Sequence, residues 1–270
     1  MPVIAIVNQK GGVGKTTTAV NLAASLSYKG ALLVDMDPQA NATAALNMAG
    51  ASPTTYDILI GGRDVREAIR ETSVPGLHLI PSSIDLSGAE VELLQMEGRA
   101  FILKRALSPI ASSFEYTLID CPPSLGILTL NSLVAADFAL IPVQCEYYAL
   151  EGTMRSLEVV DRVRRALNPG LSVIGLLLTM YDARTTLSIQ VAQDLRRHFG
   201  KDVFDTVIPR NVRLSEAPSF GLPVLKYDPR SSGAKAYMRL SEEVVRRAQD
   251  RSGKGARVHN PLHPGGGEAG

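Results

Sequence analysis

The stretch Gln9-Lys10-Gly11-Gly12-Val13-Gly14-Lys15-Thr16-Thr17 decides the fold of this 270-residue chain. It follows an apolar run, Val3–Val7, and it leads into a segment with helical periodicity, Thr16–Tyr28. A glycine-rich loop between a strand and a helix is typical of phosphate binding. Its backbone N–H groups can curl around anionic oxygens, and the helix N-terminus adds partial positive charge. The sequence therefore predicts a phosphate site at the start of an α/β domain.

Two residues of this loop carry the expected chemistry. Lys15 is predicted to reach the β- and γ-phosphates, and the Thr16 hydroxyl is predicted to bind Mg²⁺. The loop departs from the common G-x-x-x-x-G-K-[ST] pattern, because Gln9 replaces its first glycine and Lys10 adds a second lysine. The alternative is a glycine-rich turn that binds nothing. The residues expected to contact the nucleotide are Gly11, Gly12, Val13, Gly14, Lys15, Thr16 and Thr17.

Outside the loop, short apolar runs alternate with helical patterns. The predicted strands are Val3–Val7, Ala31–Asp35, Leu77–Pro81, Tyr116–Cys121, Phe138–Val143, Ser172–Met180 and Asp205–Ile208. Predicted helices include Thr16–Tyr28, Leu125–Ala136, Gly152–Leu167, Thr185–Phe199 and Gly233–Asp250. The strands are apolar throughout, as expected when helices cover both faces of a sheet. The pattern predicts an α/β fold with a doubly wound, mainly parallel sheet. We expect one ATPase domain, residues 1–251, and a disordered Gly- and Pro-rich tail, residues 252–270.

Acidic residues close two of the predicted strands. Asp35 ends one strand, Asp37 follows it, and Asp120 stands near the end of another. In an open α/β sheet the ligand lies beyond the carboxyl ends of the strands, so these side chains should meet the phosphate loop. Asp120 is then predicted to hold Mg²⁺ through water. The alternative is that these residues only cap helices or form turns.

Composition narrows the class of protein further. The two cysteines, Cys121 and Cys145, and the four histidines lack metal-ligand spacing. There is no uncharged apolar stretch of membrane-spanning length, and the strand at the N-terminus leaves no room for a signal peptide, so a cytoplasmic protein is expected. Residues 1–150 hold nine Lys and Arg against fourteen Asp and Glu, whereas residues 151–270 hold nineteen against thirteen. The basic half could bind a polyanion, or its charges could simply be solvated.

Five segments together resemble the ParA/Soj family of partition ATPases, which carry a deviant Walker A loop. They are the loop itself, VDMDPQANAT, IDCPPSLG, PVQCEYYALEG and IPRNVRLSEAPSFG. The resemblance implies ATP hydrolysis with Mg²⁺ in a nucleotide sandwich homodimer, in which Lys10 reaches the phosphates bound by the other subunit. It also implies that Asp37 orients the attacking water and that Asp35 supports Mg²⁺ and Lys15. Pro209 and Asn211 match the adenine side.

The resemblance further implies non-specific double-stranded DNA as a partner in the ATP state and a ParB-like centromere-binding protein. Such a protein would associate with the nucleoid. Arg184 and Arg213 match positions that the Soj group uses for DNA. Four further basic residues could extend the patch: Arg196, Arg197, Lys201 and Arg230. Taken singly, each of these is more often a solvated surface residue.

Three other functions remain open within the same class. A membrane-cycling ATPase like MinD would need a C-terminal amphipathic helix, which the Pro- and Gly-rich tail does not offer. The metabolic members lack the lysine at the loop start, so Lys10 speaks against them. A regulator of replication initiation or of sporulation could use the same switch.

Overall fold

The sheet has seven strands in the computed structural model, which describes residues 2–253. The strands are β1 (Val3–Ile6), β2 (Ala31–Asp35), β3 (Arg70–Glu71), β4 (Leu77–Ile80), β5 (Tyr116–Asp120), β6 (Phe138–Gln144) and β7 (Ser172–Thr179). Their order is β3-β4-β2-β5-β1-β6-β7. All neighbours pair parallel except β3, which runs antiparallel to β4 at the edge. This confirms the predicted α/β class with its mainly parallel sheet.

Helices cover both faces of the sheet and complete two hydrophobic layers. They are α1 (Lys15–Leu26), α2 (Asn41–Ala45), α3 (Thr55–Leu59), α4 (Val65–Ala68), α5 (Leu86–Glu92), α6 (Ile102–Leu107), α7 (Ile127–Ala135), α8 (Ala149–Ala166), α9 (Thr186–Phe199), α10 (Val212–Glu216), α11 (Val224–Tyr227) and α12 (Ser232–Gly253). One layer is filled from α1, α2 and α10 to α12, and the other from α3 to α9. Alternate residues of each central strand enter opposite layers, which explains why these strands are apolar throughout.

The five predicted helices correspond closely to α1, α7, α8, α9 and α12. The short helices α2 to α6, α10 and α11 are not among the predicted elements, nor is the edge strand β3, which is too short and polar to leave an apolar run. The predicted strand Asp205–Ile208 is wrong, since the segment forms no continuous ladder with β7. Before it, Val203 forms an isolated bridge with Leu176, and at its end the Ile208 N–H donates to the carbonyl of Leu178 at 2.8 Å. Its backbone N–H groups at Asp205 and Thr206 donate instead to the Glu243 carboxylate of α12, both at 2.9 Å.

The sheet order places the functional end of the molecule. Strand β5 lies between β1 and β2, and its Asp120 is in register with Ile6 on one side and with Asp35 on the other. The carboxyl ends of these three parallel strands therefore open onto one site beside the loop that follows β1. The predicted tail, residues 252–270, lies outside the described residues except for its first two positions, which continue α12.

Candidate functional site

The loop after β1 has a conformation that requires its glycines. Gly12 and Gly14 have φ angles of 77° and 89°, in the left-handed region that L side chains rarely adopt. Gly14 is the N-cap of α1, so the helix begins at Lys15 with its free N–H groups facing the loop. No protein atom lies within 4 Å of the position that a Cβ would take at Gly11 or Gly12. The loop therefore leaves open space for an anion against its backbone.

Lys15 lies inside this loop with its side chain almost fully buried. Its Nζ donates to the backbone carbonyl of Lys10 at 3.0 Å, which holds the ammonium under the loop. Burial lowers the pKa of Lys15, and the negative charges of Asp120 and Asp37 act in the opposite direction. A buried ammonium whose charged form is stabilised only by nearby carboxylates would be stabilised further by a phosphate group.

Two adjoining cavities open from the loop. The first, about 520 Å³, is lined by the loop glycines, Lys15, Thr16, Asp37 and Pro123, among others. The second, about 400 Å³, is lined by Pro209 and Asn211 and extends towards α12. Gly14 and Met180 line both cavities, so the two form a continuous cleft. Met180 has a φ of 50°, an unusual conformation for a side chain of that size, and sequence reasoning gave no sign of its place here.

Asp120 is a buried carboxylate at the cleft that lacks hydrogen-bond partners. It is fully buried, and within residues 2–253 neither of its side-chain oxygens has a hydrogen-bond partner. Burial raises the pKa of Asp120 well above its ordinary value, and the negative charge of Asp35 raises it further. The side chain of Thr16 and the positive charge of Lys15 oppose this rise. A divalent cation would stabilise the ionised form directly. The residues therefore fit Mg²⁺ held near Asp120 and Thr16.

The described residues contain no cluster of three or more His, Cys, Asp or Glu side chains arranged for a metal ion. This is compatible with Mg²⁺ that enters together with a nucleotide. Such an ion keeps several waters and takes only one or two protein ligands besides the phosphates.

Asp35 differs from Asp120 in that both of its carboxylate oxygens accept hydrogen bonds. One oxygen accepts from the Asp37 N–H at 3.1 Å, and the other accepts from the Thr43 N–H and hydroxyl at 2.9 and 2.7 Å. Burial raises the pKa of Asp35 to about 6, and the bonds from Thr43 oppose that rise. Asp35 is thus tied to the loop that carries Asp37, whereas the side-chain oxygens of Asp120 have no such bonds within residues 2–253.

Asp37 is itself nearly buried and lies at the cavity wall. Its Oδ1 accepts from the Gln39 N–H at 2.9 Å, and its carbonyl accepts from the Ser82 hydroxyl at 2.7 Å. Its second carboxylate oxygen has no hydrogen-bond partner among residues 2–253. The structure therefore brings Asp37 to the same cavity as Lys15, as predicted.

Asn211, predicted on the adenine side, holds the end of the cleft together through its carboxamide. Its Oδ1 accepts from the Arg213 N–H at 2.8 Å and caps α10, and its Nδ2 donates to the Ser232 hydroxyl at 2.6 Å. Pro209 lies opposite Tyr181 in an isolated bridge. Both residues line the second cavity, with Asn211 shaping the loop rather than offering a free acceptor.

Lys10 lies at the rim and does not line either cavity described above. Its ammonium forms an ion pair with Glu146, in the turn between β6 and α8. Sequence reasoning missed Glu146, although it lies in the quoted segment PVQCEYYALEG, because nothing local relates it to a lysine 136 positions earlier.

The two arginines predicted to contact DNA are exposed and already paired. Arg184 makes two hydrogen bonds to Asp182, at 2.9 and 2.8 Å, and it keeps the pKa of that carboxyl well below its usual range. Arg213 pairs with Glu216 at 2.7 Å and with Asp228 at 3.4 Å. The bridge between Tyr181 and Pro209 places the two segments side by side.

Four other basic residues were predicted as extensions of this patch: Arg196, Arg197, Lys201 and Arg230. All four are exposed. Arg197 pairs with Asp194 at 3.5 Å, and Arg196 donates to the carbonyl of Asp205 at 3.3 Å. Arg210, which was not predicted, is also exposed and near enough to Asp182 to lower its pKa.

The last described helix, α12, packs into the molecule. Ala236, Tyr237, Leu240 and Val244 are all buried in the layer shared with α1. Within residues 2–253, no helix has the length and apolar character needed to cross a membrane.

Comparison with known proteins agrees with this geometry. A model of the AAA domain family matches residues 1–173. The chain is 51% identical over 260 residues to the chromosome partitioning protein ParA of Caulobacter vibrioides, covering 94% of this chain and 97% of that protein. It is 54% identical over 247 residues to the sporulation initiation inhibitor protein Soj of Bacillus subtilis, covering 90% and 98%.

A solved structure extends the comparison to the bound nucleotide. Cobyrinic acid a,c-diamide synthase from Mycobacterium smegmatis, with bound ADP and magnesium, superposes with a TM-score of 0.81 at 36% identity. The match covers 96% of this chain and 98% of that one.

Proposed function

We propose that this chain, which belongs to the ParA/Soj family of chromosome-partitioning ATPases, works as an ATP-switched homodimer that binds DNA without sequence preference and acts with a ParB-like partner. The observation that carries the proposal is the joining of one phosphate loop, Lys15, Asp37 and an unsatisfied buried Asp120 at the ends of adjacent strands.

Each residue of the cleft has a distinct task in hydrolysis. The loop N–H groups and Lys15 bind the β- and γ-phosphates and offset the charge that spreads over the transferred group. Thr16 and Asp120 would hold Mg²⁺, and the bound ion would neutralise phosphate charge. Asp37 faces the same cavity and orients the water that attacks the γ-phosphorus, while Asp35 keeps the Asp37 loop in place through its three hydrogen bonds. The products are ADP and phosphate.

The dimer part of the proposal rests on Lys10. Its own cavity lacks this side chain, since Lys10 lies at the rim against Glu146. A second copy could place its Lys10 over the γ-phosphate, where a cation supplied from the partner subunit stabilises the transferring group. ATP would then join the two subunits, and hydrolysis would release them.

The DNA part rests on the C-terminal half, with its excess of six positive charges. Arg184 and Arg213 occupy neighbouring segments at one edge of the molecule. A dimer doubles the phosphate contacts, and two linked weak sites gain an effective-concentration advantage over one. Nucleotide state would thus control DNA binding, and with it association with the nucleoid, without changing the DNA-binding face itself.

Two alternatives in the same class receive less support. A metabolic function like that of the Mycobacterium smegmatis enzyme is less favoured because identity to that chain is 36%, against 51% to the Caulobacter partitioning protein. A membrane-cycling function like that of MinD would use a helix with a free apolar face, whereas Ala236, Tyr237, Leu240 and Val244 of α12 are buried in the core. Control of replication or sporulation remains compatible with the same switch.

The experiment that tests the proposal is a mobility shift on several unrelated double-stranded DNA fragments, with ATP, with ADP and without nucleotide. A shift that requires ATP, occurs on every fragment and weakens steeply with salt supports it. Equal binding with ADP contradicts it. A parallel sedimentation with anionic lipid vesicles tests the membrane alternative.

A further inference from the structure

The ion pair between Lys10 and Glu146 has no part in the site as derived so far. Lys10 has 47% of its side chain exposed and Glu146 has 31%, so both groups remain accessible at the rim of the cleft. Glu146 lies in the quoted segment PVQCEYYALEG, to which the proposed function assigns no role. The contact joins the loop after β1 to the turn after β6, and it arises because these two strands are parallel neighbours.

The backbone on each side of this contact is firmly held. The Lys10 N–H donates to Asn8 Oδ1 at 2.9 Å, and Asn8 Nδ2 donates to the carbonyl of Pro142 in β6 at 2.7 Å. On the other side, the N–H of Cys145 donates to the carbonyl of Thr179 in β7 at 3.2 Å, and the Glu146 carbonyl accepts from Ala149 at 3.0 Å. Both residues are thus presented by rigid turns.

The lysine side chain can leave this contact without movement of the loop backbone. The Lys10 carbonyl is held by Lys15 Nζ at 3.0 Å, so the loop backbone stays under the phosphates whichever way the Lys10 ammonium points. Rotation about its four-carbon stem moves the charge without disturbing the phosphate loop. The contact with Glu146 can therefore open without a change in the backbone of the phosphate loop in the same subunit.

We infer that Glu146 is a positioning residue that holds Lys10 at the rim of its own subunit and must release it when a second copy takes up the lysine. The inference rests on the proposed function, in which Lys10 acts across the dimer. Each subunit gives up one exposed ion pair on dimerisation, so the contact opposes association in the nucleotide-free protein. ATP bound in the partner provides the stronger anionic site that draws the lysine away.

The test is the Glu146→Gln variant of the full chain, which keeps the side-chain shape but removes the charge. An exposed ion pair changes an equilibrium constant by about two- to five-fold, and two are opened per dimer. We therefore expect the dimer Kd with Mg²⁺ and a slowly hydrolysed ATP analogue to fall about four- to twenty-five-fold in sedimentation equilibrium. The difference from the parent should shrink at high salt, because screening weakens the pair.

Two further variants separate this role from a general effect of charge. Glu151→Gln removes a carboxylate that forms a more exposed pair with Arg155 on α8, and it should leave the dimer Kd within about two-fold of the parent. Glu146→Asp restores the charge and should return the Kd towards the parent value. In the nucleotide-free protein, acylation of the Lys10 amine by a small active ester should be faster in Glu146→Gln than in the parent.

A Glu146→Gln variant that dimerises no more tightly than the parent overturns the inference, as does an effect equalled by Glu151→Gln. If the parent itself remains monomeric with the ATP analogue, the proposed dimer function fails and the inference fails with it. A dimeric parent with an unaffected variant overturns the inference alone.

Discussion

The nucleotide end of the sheet and the arginine edge of the molecule differ in the burial and the pairing of their charged side chains. At the nucleotide end, Asp120 is fully buried and has no hydrogen-bond partner within residues 2–253, and Lys15 is held under the loop. At the arginine edge, Arg184 and Arg213 are exposed and each is paired with a carboxylate of the same chain. Buried charge left unsatisfied is costly, so it points to a ligand that the fold is built to receive.

Exposed pairs carry much less information, because water already solvates both partners and the net gain of pairing is small. The burial at the nucleotide end therefore indicates one kind of ligand, whereas the exposed ion pairs at the arginine edge do not by themselves identify a partner. Variants at the two ends should differ accordingly in the size of their effects.

The largest effect is expected for Lys15→Ala. Removing a buried ammonium that contacts phosphate costs about 2–5 kcal/mol, which corresponds to a loss of about thirty-fold or more in ATP affinity by titration calorimetry. Dimerisation and DNA binding should be lost with it. Lys104→Ala, at an exposed lysine of α6, is the control and should bind ATP normally. Near-normal ATP affinity in Lys15→Ala would remove the basis of the phosphate-site assignment.

Asp37→Ala should separate binding from hydrolysis at the same end. Its carboxylate borders the cavity, but the phosphate loop does not depend on it, so ATP should still bind while hydrolysis slows by about 10²-fold or more from the loss of water positioning. Gel filtration with ATP and Mg²⁺ should then show a long-lived dimer. Asp57→Ala, at a carboxylate that caps α3, is the control for a general loss of charge. Hydrolysis at the parent rate would make Asp37 a structural residue only.

At the arginine edge, changing Arg184 and Arg213 together to Glu should weaken binding to every DNA sequence tested. Each lost phosphate contact should reduce the slope of log affinity against log salt by about 0.9. Dimerisation with ATP should persist, since neither residue belongs to the phosphate loop. The matched control is Arg63→Glu, at another exposed and paired arginine, in the acidic half of the chain. A double variant that shifts DNA at parental concentrations would show that the contact surface lies elsewhere.

The smallest effect is expected for Asp182→Asn, and its sign is opposite. The asparagine keeps the oxygen that accepts from the Arg184 N–H, so the turn persists while the guanidinium is released from its partner. DNA affinity should rise about two- to five-fold per subunit, since that is the usual worth of an exposed pair. Asp64→Asn, which frees Arg66 from a comparable pair, should leave DNA binding unchanged. A loss of affinity in Asp182→Asn would contradict the view that this carboxylate competes with DNA.

The sequence alone determined the parts of this protein that depend on neighbouring residues. The loop from Gln9 to Thr17 specifies its own conformation, because glycines at positions 12 and 14 permit positive φ angles and the helix start follows directly. Acidic strand ends were likewise evident, and parallel pairing then places Asp35 and Asp120 at one edge. The fold class and the phosphate site follow from such local patterns together with general rules of sheet construction.

Only the tertiary structure decided which groups meet across long separations in the chain. In the folded chain the Asp35 carboxylate accepts hydrogen bonds from Asp37 and Thr43, whereas the side-chain oxygens of Asp120 have no partner within residues 2–253. Glu146 forms an ion pair with Lys10. The N–H groups of Asp205 and Thr206 donate to Glu243 and not to a neighbouring strand, so the strand predicted there does not form. The physical reason is that a side chain's partner is set by strand order and helix packing. These depend on the burial of the whole chain, whereas a local pattern depends only on a few adjacent residues.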